Sequence, residues 1–120
     1  MQLEASDGED AEHETEIVRF MQKHPEVDGV FASSDFIAAE VLQACHQLQK
    51  SIPNEIKVIG YDDVKIASLV SPRLSTIRQP IREMSKSTID LIVKQINGEV
   101  VPKINLFPVS LIERETTLSN

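Results

Sequence analysis

An α/β fold, a mostly parallel sheet flanked by helices, is the class this sequence predicts. Three observations point to it. Short runs rich in β-branched residues alternate with longer stretches whose apolar residues recur at helical spacing. Two of those runs end in polar clusters, Ser33-Ser34-Asp35 and Gly60-Tyr61-Asp62-Asp63, and ligands collect at the carboxyl ends of strands in open α/β sheets. The length, 120 residues, suits a single domain with a real core.

The elements follow in order. Gln2 to Ala5 is a weak strand candidate before the polar turn Ser6-Asp7-Gly8. Ile17, Val18, Phe20 and Met21 have helical spacing, and His24-Pro25 stops that helix because the residue before proline avoids the α region. Val27 to Ala32 reads as a buried strand. Ser33-Ser34-Asp35 then supplies an N-cap for a helix over 36–50, whose stripe is Ile37, Ala38, Val41, Leu42, Cys45 and Leu48. Ile56 to Gly60 is the next strand, Val64 to Val70 a short helical turn, and Leu74 to Ile77 a short strand ending at Gln79-Pro80. A strong helix over 81–97 carries Met84, Ile89, Ile92, Val93 and Ile96, with Gly98 suited to the residue after its cap. Val109 to Glu113 alternates like an edge strand. The 81–97 helix is bracketed by Pro80 and by the turn from Gly98 to Pro102, as though the chain leaves the main body and returns.

Composition excludes several classes. Hydrophobic residues at 41% and charged residues at 26% describe an ordinary globular protein. No run approaches the ~18 apolar residues of a membrane span, and the N-terminus offers neither a basic region nor an apolar signal core. A single cysteine, Cys45, rules out an internal disulfide and suits a reducing cytoplasm. The net charge is −7, with carboxylates concentrated between Glu4 and Glu16 and basic residues scattered. Phosphate contacts need clustered lysine and arginine, so direct nucleic-acid binding by this chain is disfavoured.

The paired carboxylates Asp62 and Asp63 admit three chemistries: a metal site, an aspartyl-phosphate acceptor, or a grip on ligand hydroxyls. A magnesium-dependent receiver would need a second acidic cluster at another strand end and a lysine near the C-terminal strand, and neither is present. A hydrolase needs a base beside a nucleophile. His13, His24 and His46 lie on helices or at their ends without metal-ligand spacing, and Cys45 belongs to a core stripe. Gly8, Gly29, Gly60 and Gly98 stand alone and form no phosphate loop. No catalytic residue, metal or cofactor is indicated, so the chain is read as a non-enzyme. Polar recognition is left. An ionised aspartate accepts two hydroxyl hydrogen bonds side by side, which suits a sugar diol. Asp62 is the favoured contact. Asp35 is open between ligand contact and helix cap, and Asp63 is expected to serve the fold.

The order of several motifs closely resembles the effector-binding region of the lac/gal repressor (LacI/GalR) family of bacterial regulators. They are Val30-Phe31-Ala32-Ser33-Ser34-Asp35, Ile52-Pro53, Val58 to Asp63, Ser71-Pro72-Arg73-Leu74-Ser75-Thr76-Ile77-Arg78-Gln79-Pro80, and Leu106 to Thr117. The match runs from about residue 27 to the end. It implies the C-terminal lobe of a periplasmic-binding-protein-like (type I) core, with a sugar-derived effector held between two lobes. It also implies a cytoplasmic homodimer, and operator DNA reached only through a separate headpiece. No headpiece, N-terminal lobe or tetramerising helix is recognisable in these residues, so the expectation is a lobe at 1–79 and 99–120. The helix at 80–98 would then cross to the other lobe.

Failing that cover, the helix stripe is expected to pack on its own lobe or on a neighbouring chain, or to be poorly ordered. Residue by residue, Asp62 matches the first aspartate of the Gly-aromatic-Asp-Asp motif that contacts effector. Ser34 stands where many members carry an asparagine that touches the sugar, though serine is shorter and lacks the amide donor. Gln79 and Ile81 match the hinge and cleft edge, and Asp35 joins them as a ligand candidate. Ile66, Leu69 and Val70, with Ala39 and Gln43, resemble the dimer surface. The expected effector is a plant-type disaccharide such as sucrose, or a fructose-containing relative. The alternatives are the magnesium-dependent receiver and a transport-type sugar-binding protein.

Overall fold

The computed structural model describes residues 10–118, with side chains from Glu16 onward. The weak strand expected over 2–5, and the first part of the acidic run, lie outside the described part. Helix α1 (Asp10–Lys23) ends just before His24-Pro25 and is followed by strand β1 (Gly29–Phe31). Then come α2 (Asp35–Gln47), β2 (Lys57–Tyr61), the short α3 (Ile66–Leu69), β3 (Ser75–Arg78), α4 (Ile81–Ile96) and β4 (Ser110–Ile112).

The strands form one sheet in the order β1-β2-β3-β4. β1 is parallel to β2 with Val30 opposite Val58, and β2 is parallel to β3 with Gly60 opposite Thr76. Successive strand residues point to opposite faces. In β2 this buries Val58 and Gly60 while Lys57 is exposed and Ile59 and Tyr61 are half-buried. The buried side faces α2, whose Ala38, Val41, Leu42, Ala44 and Cys45 are all buried in one cluster with Val30 and Val58. α1 adds Ile17 and Met21 to that core, and α3 adds Ala67 beside Leu74.

The chain divides into two compact units: Met1–Arg78 with Leu111–Asn120, and Gln79–Ser110. The second unit extends past the helix expected to make it up, because 99–109 form no strand and stay exposed except for Val101 and Phe107. Its helix α4 is closed by Asn97 as C-cap and by Gly98 in the left-handed region at φ 79, the conformation glycine adopts without steric cost. No residue of α4 is buried. Ile89, Ile92, Val93 and Ile96 of its apolar stripe are all exposed.

Candidate functional site

The polar residues at the carboxyl end of the sheet begin with α2. Ser34 is its N-cap, in extended backbone, and its hydroxyl accepts the Ile37 N–H at 3.2 Å. Capping supplies an acceptor for one of the helix's otherwise unpaired first amides. Asp35, the first helical residue, does something else. It is fully buried, its Oδ1 accepts from the Thr76 hydroxyl at 2.5 Å, and its Oδ2 accepts the Val64 N–H at 2.7 Å. One carboxylate thus joins the start of α2, strand β3 and the loop after β2. Asp35, open in the sequence between ligand contact and helix cap, is closed to solvent, and each of its oxygens accepts one hydrogen bond from within the chain.

Gly60 is explained by the same carboxylate. A Cβ there would collide with Asp35 Oδ1 and sit 2.9 Å from Leu74 Cδ2, so only glycine lets β2 pass this close to Asp35. Beyond it, Tyr61 is half-buried with its ring edge-on to Phe31, the ring centroids 6.4 Å apart.

The two aspartates then part company. Asp62 is exposed, with φ 102, and its N–H donates to Ile77 O at 2.8 Å, extending the parallel pairing by one residue. Asp63 has φ 54 and a side chain only 9% exposed. Arg78 places Nε and Nη2 each 2.7 Å from its Oδ2, and Arg114 Nη2 is 2.8 Å from its Oδ1. Burial acts to raise the Asp63 carboxyl, but the hydrogen bonds and charges of Arg114 and Arg78 outweigh it and hold the group below its ordinary value.

Arg114 is itself anchored, its Nη1 donating to Leu74 O at 2.9 Å. The segment around it is sewn to the sheet. Thr116 is buried, donates from its hydroxyl to Val58 O at 2.6 Å and accepts the Ser75 N–H at 2.8 Å. The Ser75 and Thr117 hydroxyls are 2.6 Å apart. Sequence reasoning did not single out Thr76, Arg78, Arg114 or Thr116. The available signal was Ser75-Thr76 inside a strand otherwise destined for the core, since buried hydroxyls need fixed partners.

Of the expected ligand residues, Ser34, Asp35 and Asp62 follow the carboxyl ends of neighbouring strands β1 and β2. Gln79 and Ile81 belong to the second unit, Gln79 half-buried and Ile81 exposed. Of the expected dimer residues, Ala39, Gln43 and Val70 line a groove of about 300 Å³ together with Leu42, His46 and Ser71. Beside them on α3, Ile66 is half-buried and Leu69 exposed. Cys45 is buried, and burial pushes its thiol up to about 11, so it holds no thiolate at neutral pH. Among the described residues, no three His, Cys, Asp or Glu side chains are grouped as metal ligands, and no helix is long and apolar enough to cross a membrane.

Comparison with known proteins gives a consistent set. Residues 2–117 match the periplasmic binding protein-like domain family. The ribose operon repressor of Halalkalibacterium halodurans is 35% identical over 98 residues, covering 81% of this chain and 30% of that protein. The chain therefore spans less than a third of that relative's length. Among solved structures, the periplasmic binding protein/LacI transcriptional regulator from Alkaliphilus metalliredigens, complexed with D-xylulofuranose, superposes with a TM-score of 0.80 at 37% identity. It covers 98% of this chain and 44% of that one. The lac repressor dimer bound to operator and the anti-inducer ONPF gives a TM-score of 0.80 at 28% identity, over 89% of this chain and 37% of that one.

Proposed function

This chain belongs to the periplasmic binding protein-like domain family, as part of the effector-binding domain of a LacI/GalR-type regulator, and we propose that it supplies the sugar-holding, dimer-forming lobe of a bacterial repressor. The observation that carries the proposal is the exposed Asp62 in a fixed turn at the end of β2. A turn held that firmly presents Asp62 to ligand hydroxyls with little ordering cost on binding. Ser34 adds a short polar contact at the adjoining strand end. Gln79 and Ile81 add theirs where the chain passes to the second unit.

The relatives support a sugar as the ligand class, since one regulates a ribose operon and one was solved with D-xylulofuranose. The groove between α2 and α3, with Ala39, Gln43, Ile66, Leu69 and Val70, is the surface for a second copy. In the whole protein the α4 stripe would lie against the other lobe. Regulation then works by linkage: a sugar that prefers one arrangement of the lobes shifts operator affinity by its differential affinity for the two arrangements.

The test is a thermal-shift screen of the intact protein against D-ribose, D-xylulose, D-fructose and sucrose. A ligand that binds only the folded state raises the melting temperature with its concentration. At least one sugar should do so in the wild type and fail to do so in Asp62→Ala. Retention of the full shift in Asp62→Ala contradicts the proposed contact.

A further inference from the structure

Asp62 and Asp63 are two consecutive non-glycine residues with positive φ, at 102 and 54. Such backbone persists only where its surroundings over-determine it. Three amides of the turn are caught: Asp62 by Ile77 O, Asp63 by Thr76 Oγ1 at 3.4 Å, and Val64 by Asp35. A further hold is the Asp63 side chain. It does not cap a helix, because α3 begins at Ile66 and makes no side-chain cap bond. Instead each of its oxygens serves a different arginine.

Those arginines stand at particular places in the chain. Arg78 is the last residue of β3 and of the first stretch of the first unit, directly before Gln79. Arg114 follows β4 closely, just after the chain re-enters the first unit at Leu111. A single carboxylate beside Asp62 therefore grips both the exit and the return of the chain. Its setting is favourable for a firm pairing: the carboxylate is 9% exposed and Arg114 is 19% exposed, whereas Arg78 is 55% exposed and supplies the outer half. Charge-assisted bonds of this kind are the stronger hydrogen bonds, and those shielded from water are screened least.

We infer that Asp63 is the positioning residue of the effector turn, and that through Arg78 and Arg114 it carries a change at Asp62 to both points where the chain passes between its two units. This rests on Asp62 being the effector contact. Asp63 touches no ligand in this scheme. It fixes the backbone that presents Asp62 and links that backbone to the crossings.

Amide exchange in the intact protein, read by mass spectrometry on peptides spanning 60–64 and 110–114, tests the scheme without needing the effector. Arg78→Gln removes only the exposed half of the clamp, so the fold survives. It should speed exchange in 60–64 by about fivefold, the factor that corresponds to roughly 1 kcal/mol. Exchange in 110–114 should rise as well, although the arginine replaced lies elsewhere. Arg78→Lys should recover part of both losses. In an Asp63→Asn background, Arg78→Gln should add nothing further. Unchanged exchange in 60–64, or an equal effect of Arg78→Gln with and without Asp63, overturns the inference.

The same peptides then report on sugar. A sugar that raises the wild-type melting temperature should protect both segments in the wild type but only 60–64 in Asp63→Asn. Full protection of 110–114 in that variant overturns the transmission. Absence of protection at 60–64 in the wild type marks failure of Asp62 as the contact, and the sugar-free exchange still decides what Asp63 does.

Discussion

The two units treat large apolar residues in opposite ways. In the first, Ile17, Val41, Ile56, Val58 and Leu74 are all at most 2% exposed, locked between the sheet and its helices. In the second, Ile89 is 63% exposed and Ile96 77%, on a helix with no buried residue. Both stripes have the same helical spacing in the sequence. The contrast shows that amphipathic spacing specifies that a face is meant to be covered and leaves open by what. The first unit contains its own cover. The second carries an exposed apolar face of the kind that marks an interaction surface.

Matched truncations give the largest expected difference. Leu74→Ala in the first unit should lower stability by about 2–5 kcal/mol in denaturant unfolding, the usual cost of a buried leucine cavity. Ile92→Ala on α4 should change the stability of this same chain by no more than about 0.5 kcal/mol, as for surface substitutions generally. Equal effects would remove the contrast. Repeating Ile92→Ala in the intact protein sharpens it: a cost that appears only there identifies the other lobe as the cover.

A smaller effect is expected at Gly60. Ala in its place puts a methyl group against Asp35 Oδ1 and Leu74 Cδ2, and overpacking of this kind costs about 1–3 kcal/mol. The same glycine-to-alanine change at Gly29, where nothing stands within 4 Å of an added Cβ, should leave the unfolding midpoint nearly unchanged. An indifferent Gly60→Ala would mean that Asp35 is not held as described.

The smallest effect belongs to pH. The Asp63 carboxyl is lowered from its ordinary value of 3.8 in the folded state. A group depressed by folding contributes stability that is complete above its unfolded value and is lost as pH falls through the folded one. The first unit should therefore lose the Asp63 contribution only below about pH 4, and Asp63→Asn should flatten that part of the acid unfolding curve. A curve of unchanged shape would mean the arginine pairs add nothing in solution.

Local features were legible in the sequence to the extent that their causes are local. The His24-Pro25 stop, the Ser34 cap, the α2 stripe and the glycine after α4 each depend on neighbours a few residues away. The parallel sheet followed from alternation of strand and helix. The Asp35 and Asp63 partnerships were hidden for the opposite reason. Val64 lies 29 residues beyond Asp35, Thr76 lies 41 beyond it, and the Thr116 hydroxyl reaches back 58 residues to Val58. No spacing rule announces pairs that only the folded sheet brings together. Position in the sequence leaves Asp35 open between ligand contact and helix cap, and only the fold brings its carboxylate to Val64 and Thr76.

The central claim is the division of labour between adjacent carboxylates, with Asp62 offered to the sugar and Asp63 retained by the fold. Calorimetric titration of the intact protein with the sugar that most raises its melting temperature tests it most directly. The account predicts that Asp62→Ala abolishes the binding heat. An Asp62→Ala protein that binds the sugar with wild-type affinity would contradict it.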